Sequence, residues 1–181
     1  MLKCISLLPL ILILNYGMLT AQSDAQFIDW QQWEEKLAEE DQDQRKTLVY
    51  VYTSWCTLCK KLEQEAFTDS TTQTLLKENF TLVGLDAESK EELQFQGEDY
   101  RYVRKGSMGY HELAAHLLDG RLAFPSLVFL DEESRVIQVI HGYQGQEHFN
   151  LLLRYYGQDH YKNLPWRSFQ RQYGTGQITD D

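Results

Sequence analysis

The sequence predicts an α/β protein in which a mixed β-sheet is flanked by helices. Three observations carry that expectation. Residues 47–53 and 80–85 are apolar, β-branched and aromatic runs without clean alternation, the pattern of strands buried on both faces, and helical spacing lies between them. Residues 126–130 and 135–140 read as two further strands, separated by a polar turn at 131–134, and look like a hairpin. A helical pattern over 144–156 closes the series at Gly157.

The amino terminus reads as an export signal. Lys3 supplies the positive end, residues 5–14 are apolar apart from Ser6 and Pro9, and Ala21 offers a cleavage site before Gln22. Cleavage after Ala25 is an alternative, because Leu19 suits its position poorly. A retained anchor helix is the other reading, but anchors need roughly 20 apolar residues, and this run breaks at Asn15-Tyr16-Gly17. The expected organisation is a signal peptide at 1–21, one domain at 22–157, and a loosely packed tail at 158–181. Export places the mature chain in a periplasm or outside the cell.

The remaining elements follow in order. Asp29 is expected to cap a helix carrying Trp30, Trp33, Leu37 and Ala38 on one face, with Gln32 completing a capping box. Residues 41–45 connect it to the first long strand. Leu58, Leu62, Glu65 and Ala66 have helical spacing, and Lys60 and Lys61 form the polar side. Asp69 or Ser70 caps the next helix. Residues 87–121 are the least regular stretch, with a short helical pattern at 110–118 closed by Gly120 as a C′ residue. Pro125 introduces the strand at 126–130.

Composition narrows the function. The chain has 181 residues, 43% hydrophobic and 24% charged, which suits one domain with a core. A net charge of −10 argues against nucleic acid as a partner, since phosphate binding needs a basic surface. Removing residues 1–21 leaves 160 residues and takes the charge to −11, because Lys3 is the only charge lost. It also removes Cys4, leaving Cys56 and Cys59 alone in one CxxC. A bridge across two residues restrains little of the unfolded chain, so a redox role is favoured over a structural one. Structural zinc needs four ligands. No second CxxC exists, and His111, His116, His141, His148 and His160 show no pairing with the first, so no metal is expected. No pattern suggests haem, flavin or nicotinamide. The expected cofactor is none beyond a redox-active Cys56–Cys59 disulfide.

Disulfide exchange requires an attacking thiolate and a second thiol that resolves the mixed disulfide. Cys56 lies where strand becomes helix. Unpaired backbone N–H groups and the helix dipole there favour its thiolate. Cys59 lies one turn on and can close on it without backbone movement. Cys56 is therefore read as nucleophile and Cys59 as resolving thiol. Thr57, Leu58 and Lys60 are candidates for tuning the potential, and Trp55 is either a substrate-recognition surface or a packing residue, with substrate binding favoured by its place beside the nucleophile.

Trp55-Cys56-Thr57-Leu58-Cys59-Lys60, its preceding strand, and Phe124-Pro125-Ser126 together resemble the thioredoxin family over about residues 27–157. Cys59 through Glu63 and Phe67 look most like exported members, such as the C-terminal domain of DsbD-type reductases. The resemblance implies a thioredoxin-like sheet with an insertion at 87–121 before a cis-proline strand. It also implies a cis bond at Phe124-Pro125 beside the CxxC, where Phe124 and Pro125 bind substrate. The alternative is an ordinary trans proline opening a strand.

Two departures stand out. Many family members carry a buried acid six positions before the first cysteine, held to assist proton transfer at the resolving thiol, and this chain has Tyr50. Water, Glu63 or Asp86 are the replacements, although a solvated helix face is the favoured reading of Glu63. The pair between the cysteines is Thr57-Leu58, and family potentials span about −270 to −120 mV. In the insertion, Tyr100, Tyr102 and Tyr110 form either a partner surface or a packed flap.

The expected activity is exported thiol–disulfide oxidoreduction, reducing rather than oxidising protein or peptide disulfides. A membrane electron donor is the implied source of electrons. The alternative is a binding or chaperone-like module in which turnover is secondary.

Overall fold

The computed structural model of the protein describes residues 31–32 and 45–174. In chain order the elements are β1 (Gln31–Gln32), β2 (Lys46–Tyr52), α1 (Thr57–Glu65), α2 (Ser70–Asn79), β3 (Phe80–Asp86), β4 (Leu93–Phe95), β5 (Glu98–Tyr100), β6 (Tyr102–Lys105), β7 (Met108–His111), α3 (Glu112–Leu117), β8 (Ser126–Leu130), β9 (Val136–His141), α4 (Gln146–Gly157), a 3-10 turn at His160–Lys162, and α5 (Trp166–Tyr173). The main sheet has the order β1-β3-β2-β8-β9. β1, β3 and β2 run parallel, while β8 and β9 run antiparallel to their neighbours. The mixed sheet expected from the sequence is present.

The central position of β2 follows from its residues. Leu48 and Tyr50 point to one face and Val49 and Val51 to the other, and all four are buried. On the first face they meet Leu62 of α1, Leu75 and Leu76 of α2, and Phe149 and Leu153 of α4. On the second they meet Leu113 and Leu117 of α3, with Leu93 and Phe95 of the β4–β5 hairpin. Asp69 caps α2 by accepting from the Thr72 amide at 2.8 Å. Burial alone would raise its carboxyl, but the hydrogen bonds from Thr72, Gln146 and Asn150 hold it below the usual carboxylate range.

Three expectations need correction. Residues 87–121 are not irregular. They hold two hairpins, β4–β5 and β6–β7, and then α3. The β4–β5 loop has Gln96 and Gly97 at φ 51° and 81°, the two-residue turn that matches strand twist. Asp119 and Gly120 are both left-handed after α3, so the helix closes one residue earlier than placing Gly120 at C′ implied. The helix expected over 29–40 lies outside the described residues except at Gln31 and Gln32. Those two form β1, because pairing with Val83 and Gly84 extends the parallel sheet. The signal peptide also lies outside the described residues.

The third correction concerns the carboxyl terminus. Residues 158–174 are packed, and 175–181 lie outside the described residues. Phe169 is fully buried, touching Tyr155 at 5.0 Å between ring centroids and Tyr173 at 4.6 Å. The Tyr155 hydroxyl donates to the Leu164 carbonyl at 2.7 Å. Lys46, at the start of β2, is buried between Glu132 at 3.0 Å and Asp159 at 2.9 Å. Burial would lower its ammonium, but both carboxylates hold it above its ordinary value. Burial would raise Asp159, yet hydrogen bonds from Lys162 and Lys46 hold it low; its own backbone amide and Lys46 do the same for Glu132.

Phe169→Ala is expected to cost about 3–5 kcal/mol in urea unfolding, the usual range for a buried Phe, whereas a loose tail would give no change. The stability from Asp159 and Glu132 is present above the ordinary carboxylate range and lost as pH falls through their lowered values. The urea midpoint of the wild type is therefore expected to fall on acidification below about pH 4. Lys46→Met should show a shallower fall, read from midpoints measured across that range.

Candidate active site

The site forms where β2 ends. After Tyr52 the chain turns, with the Cys56 amide donating to the Thr53 carbonyl at 3.2 Å. Cys56 keeps extended backbone angles and becomes the N-cap of α1. Its Sγ accepts from the Cys59 amide at 3.0 Å. A thiolate at Cys56 would take that same N–H bond at the positive end of the helix. Cys59 lies on the buried face of α1, with its Cα 5.2 Å from that of Cys56, and the two form a disulfide. Cys56 is 4% exposed and Cys59 1%, so what access exists to the bond favours Cys56.

The rim of the site is apolar. Trp55 is 62% exposed and Leu58 48% exposed. Thr57 and Lys60 are exposed beside them, on the first turn of α1. Phe124-Pro125 is a cis peptide, as the resemblance implied. The Phe124 ring meets Trp55 edge-on at 6.1 Å, which brings the cis-proline segment against the CxxC turn. The Trp55 indole N–H donates to Glu88 at 2.9 Å, so its ring is oriented rather than free. Of the expected site residues, Trp55, Cys56, Leu58, Cys59, Phe124 and Pro125 come together, with Thr57 and Lys60 at the margin.

The cis-proline segment is held by residues that sequence reasoning passed over. The Gly142 amide donates to the Pro125 carbonyl at 2.7 Å. The buried Ser126 hydroxyl donates to the Ala123 carbonyl at 2.6 Å, so it accepts from His141 Nδ1 at 2.8 Å. Burial, and then Arg121, push His141 below its ordinary value. Tyr143 donates to Glu65 and lies under the Lys61 ammonium at 4.6 Å, fastening the segment after β9 to α1. Only the register of β8 on β9, Ser126 opposite His141, would have shown this pairing.

Beneath Cys59 the structure corrects the reading of Glu63. Its face of α1 is only partly solvated. Glu63 is half-buried and accepts from the Tyr50 hydroxyl at 2.9 Å. Tyr50 is 2% exposed, stacked on Tyr52 and edge-on to Phe67. Burial, then the Glu63 carboxylate, push its phenol far above the ordinary tyrosine range. Asp86 instead accepts from the Glu88 amide at 2.9 Å and shapes the turn after β3.

The family model described as a thioredoxin-like domain matches residues 33–157. Among solved structures, a thioredoxin-fold protein from Helicobacter pylori is similar at 16% identity and a TM-score of 0.55, over 71% of this chain and 80% of that one. A thioredoxin from Thermus thermophilus is similar at 20% identity and a TM-score of 0.51, over 69% and 83%. The oxidised DsbD C-terminal domain from Neisseria meningitidis is similar at 12% identity and a TM-score of 0.46, over 68% and 89%. These likenesses are of fold. Comparison with curated protein sequences finds no match.

Removing one partner of the Tyr50–Glu63 bond should depend on which group is stranded. Tyr50→Phe leaves Glu63 to water and should cost about 1 kcal/mol. Glu63→Ala leaves a buried hydroxyl without its acceptor and should cost more, about 1–3 kcal/mol. A double-mutant cycle in urea checks both, with the double variant less destabilised than the sum of the singles.

Proposed function

The chain belongs to the family of thioredoxin-like domains, and from that membership we propose that it is a thiol–disulfide oxidoreductase that reduces protein or peptide disulfides outside the cytoplasm. The carrying observation is the Cys56–Cys59 pair at a helix N-terminus, inside an apolar rim completed by cis Phe124-Pro125. A fold that needed the bridge for stability would gain little from so short a loop. In the reduced protein, the Cys56 thiolate attacks one sulfur of a substrate disulfide and expels the other as a thiolate. The Cys59 thiol then loses its proton and attacks Cys56 Sγ. The Cys56–Cys59 bond forms, the second substrate thiolate leaves, and two electrons have passed to the substrate. The export signal supports a periplasmic or secreted location, where a membrane electron donor would restore the dithiol. No group beyond the two cysteines is needed to carry the electrons.

Glu63 is the group we assign to the Cys59 proton. It lies one turn along the same face of α1, and Tyr50 fixes its carboxylate by a hydrogen bond that leaves the second oxygen free of that donor. Tyr50 itself stays protonated throughout the working range, because burial opposes its ionisation.

The test is reduction of insulin with dithiothreitol as donor. Wild type should turn over, Cys56→Ser should not, and Cys59→Ser should accumulate a mixed disulfide at Cys56. Turnover that survives Cys56→Ser would remove the assignment. The reduction potential of the couple decides direction: a value near the reducing end of about −270 mV supports a reductase, and one near about −120 mV sinks it. Glu63→Gln should slow release of the mixed disulfide about tenfold or more at neutral pH while leaving its formation unchanged, as measured by quenched-flow trapping.

A further inference from the structure

The β6–β7 hairpin carries a cluster of cations between Asp99 and Glu112. The protein has 27 carboxylates and 17 lysines and arginines, yet residues 100–111 contain no Asp or Glu and three cations, Arg101, Arg104 and Lys105. All three are exposed, as is Lys90, which lies over the Tyr102 ring. Lys46, Lys61, Arg135 and Lys162 are in ion pairs, whereas among the described residues Lys90, Arg101, Arg104 and Lys105 are in none. Met108, opposite Lys105 at the tip, is 66% exposed.

The tyrosines are the hairpins' support rather than their message. Tyr100 packs on His116 at 5.2 Å and joins the core on the α3 face. Tyr102 lies across Gly109, where a Cβ would collide with its phenol. His111 is fully buried, accepts from the Leu113 amide at Nδ1 (3.2 Å), and so donates from Nε2 to the Glu91 carbonyl at 2.9 Å. The hairpin is thus rigidly based, and what it presents outward is positive charge and one flexible thioether.

Its base is fixed to the active-site end of the sheet. The His111 amide donates to the Ala87 carbonyl at 2.7 Å, and the Ala87 amide donates to the carbonyl of Tyr52, the last residue of β2, at 2.8 Å. The neighbouring Glu88 holds Trp55. From that base the strands carry the tip outward by roughly 10 Å, three steps of about 3.3 Å.

We propose that the β6–β7 hairpin is a docking arm for an acidic segment flanking the disulfide of the protein that Cys56 attacks, with Arg104, Lys105 and Lys90 meeting its carboxylates and Met108 its apolar side chains. The inference rests on the oxidoreductase reading. Its occupant is set by charge. A body of net charge −10 repels an acidic partner and attracts a basic one at long range. A basic tip on a hairpin whose base is tied to the loop that holds Trp55 reverses that preference locally, on the side from which a substrate reaches Cys56. Methionine adapts to varied apolar surfaces without demanding one shape.

The test uses the reduced full-length protein and two synthetic peptides, each closed by one disulfide, one flanked by four alternating Glu and Asp and the other by four alternating Lys and Arg. Neutral 4,4′-dithiodipyridine serves as a disulfide with no docking segment. The expected result is a kcat/KM at least tenfold higher for the acidic peptide at low salt, against the sign of the net charge. That preference should vanish in 0.5 M salt and in the Arg104→Glu/Lys105→Glu variant, whose dithiodipyridine rate stays at the wild-type value. Equal rates for the two peptides, or a preference that persists in the variant, would overturn the inference. So would a wild-type dimer in sedimentation that the variant abolishes, or binding to phosphatidylserine vesicles that the variant loses, since each gives the hairpin a different occupant. A wild type that fails on dithiodipyridine loses the oxidoreductase reading and this inference with it; one that reduces it but treats the peptides alike loses only the docking arm.

Discussion

The passage from β2 into α1 governs the rest of the molecule. β2 is buried on both faces, so it cannot shift register without exposing one set of side chains to the wrong layer. Its end is therefore fixed in space, and the Tyr52 carbonyl is tied to Ala87 as a further stop. Within four residues the chain must leave the sheet and begin a helix, and Cys56 does both by capping α1 with its own sulfur. A cysteine in that position meets the backbone N–H of Cys59 at the start of the helix. The cis-proline segment, Trp55 and the Glu88 turn all converge on this junction because the strands carrying them end on the same side of the sheet.

Much of that junction could be read in the chain, because local rules apply there. Two-faced apolar runs announced β2, β3 and β8, and Asp69 announced the start of α2 by its capping chemistry. The cis bond before Ser126 was accessible only through resemblance to the thioredoxin family, since proline at a strand head is ordinary by itself. The insertion was opaque because its strands have three or four residues and include Glu98, Asp99 and Lys105, too short and too polar for a period to emerge. The carboxyl terminus is a different case. Trp166, Phe169 and Tyr173 fall at helical spacing, and that signal was present but outweighed by the polar residues between them. Contacts such as Ser126 with His141 and Tyr50 with Glu63 depend on register and helix phase, which composition does not encode.

Tyr50 and Glu63 show how a family feature is rebuilt from different groups. A carboxylate at the buried position of Tyr50 would carry a large desolvation cost unless protonated or paired. A phenol there carries no charge, fills the space against Phe67 and Tyr52, and passes a hydrogen bond outward. The charge is moved to Glu63, where partial exposure lets water share its solvation. The core holding Tyr50 and Cys59 is thereby more apolar, and the carboxylate we assign to the proton sits farther toward solvent on the helix of Cys59.

The distribution of packing separates stability from reactivity along β2. At its first residue, Lys46 is enclosed by Glu132 and Asp159, and nearby Tyr155, Tyr156, Tyr161 and Phe169 form a continuous aromatic cluster. Six residues on, roughly 20 Å away at about 3.3 Å per residue, β2 ends at Tyr52, and beyond it the large side chains Trp55 and Leu58 stand in solvent. Exposed apolar surface of that kind costs free energy that a folded protein normally recovers by burial. Under the proposed function a substrate would complete that burial at the CxxC end, while the opposite end of β2 is closed by its own side chains. The carboxyl-terminal helix thus places its packing, centred on Phe169, toward the end of β2 opposite the CxxC rim.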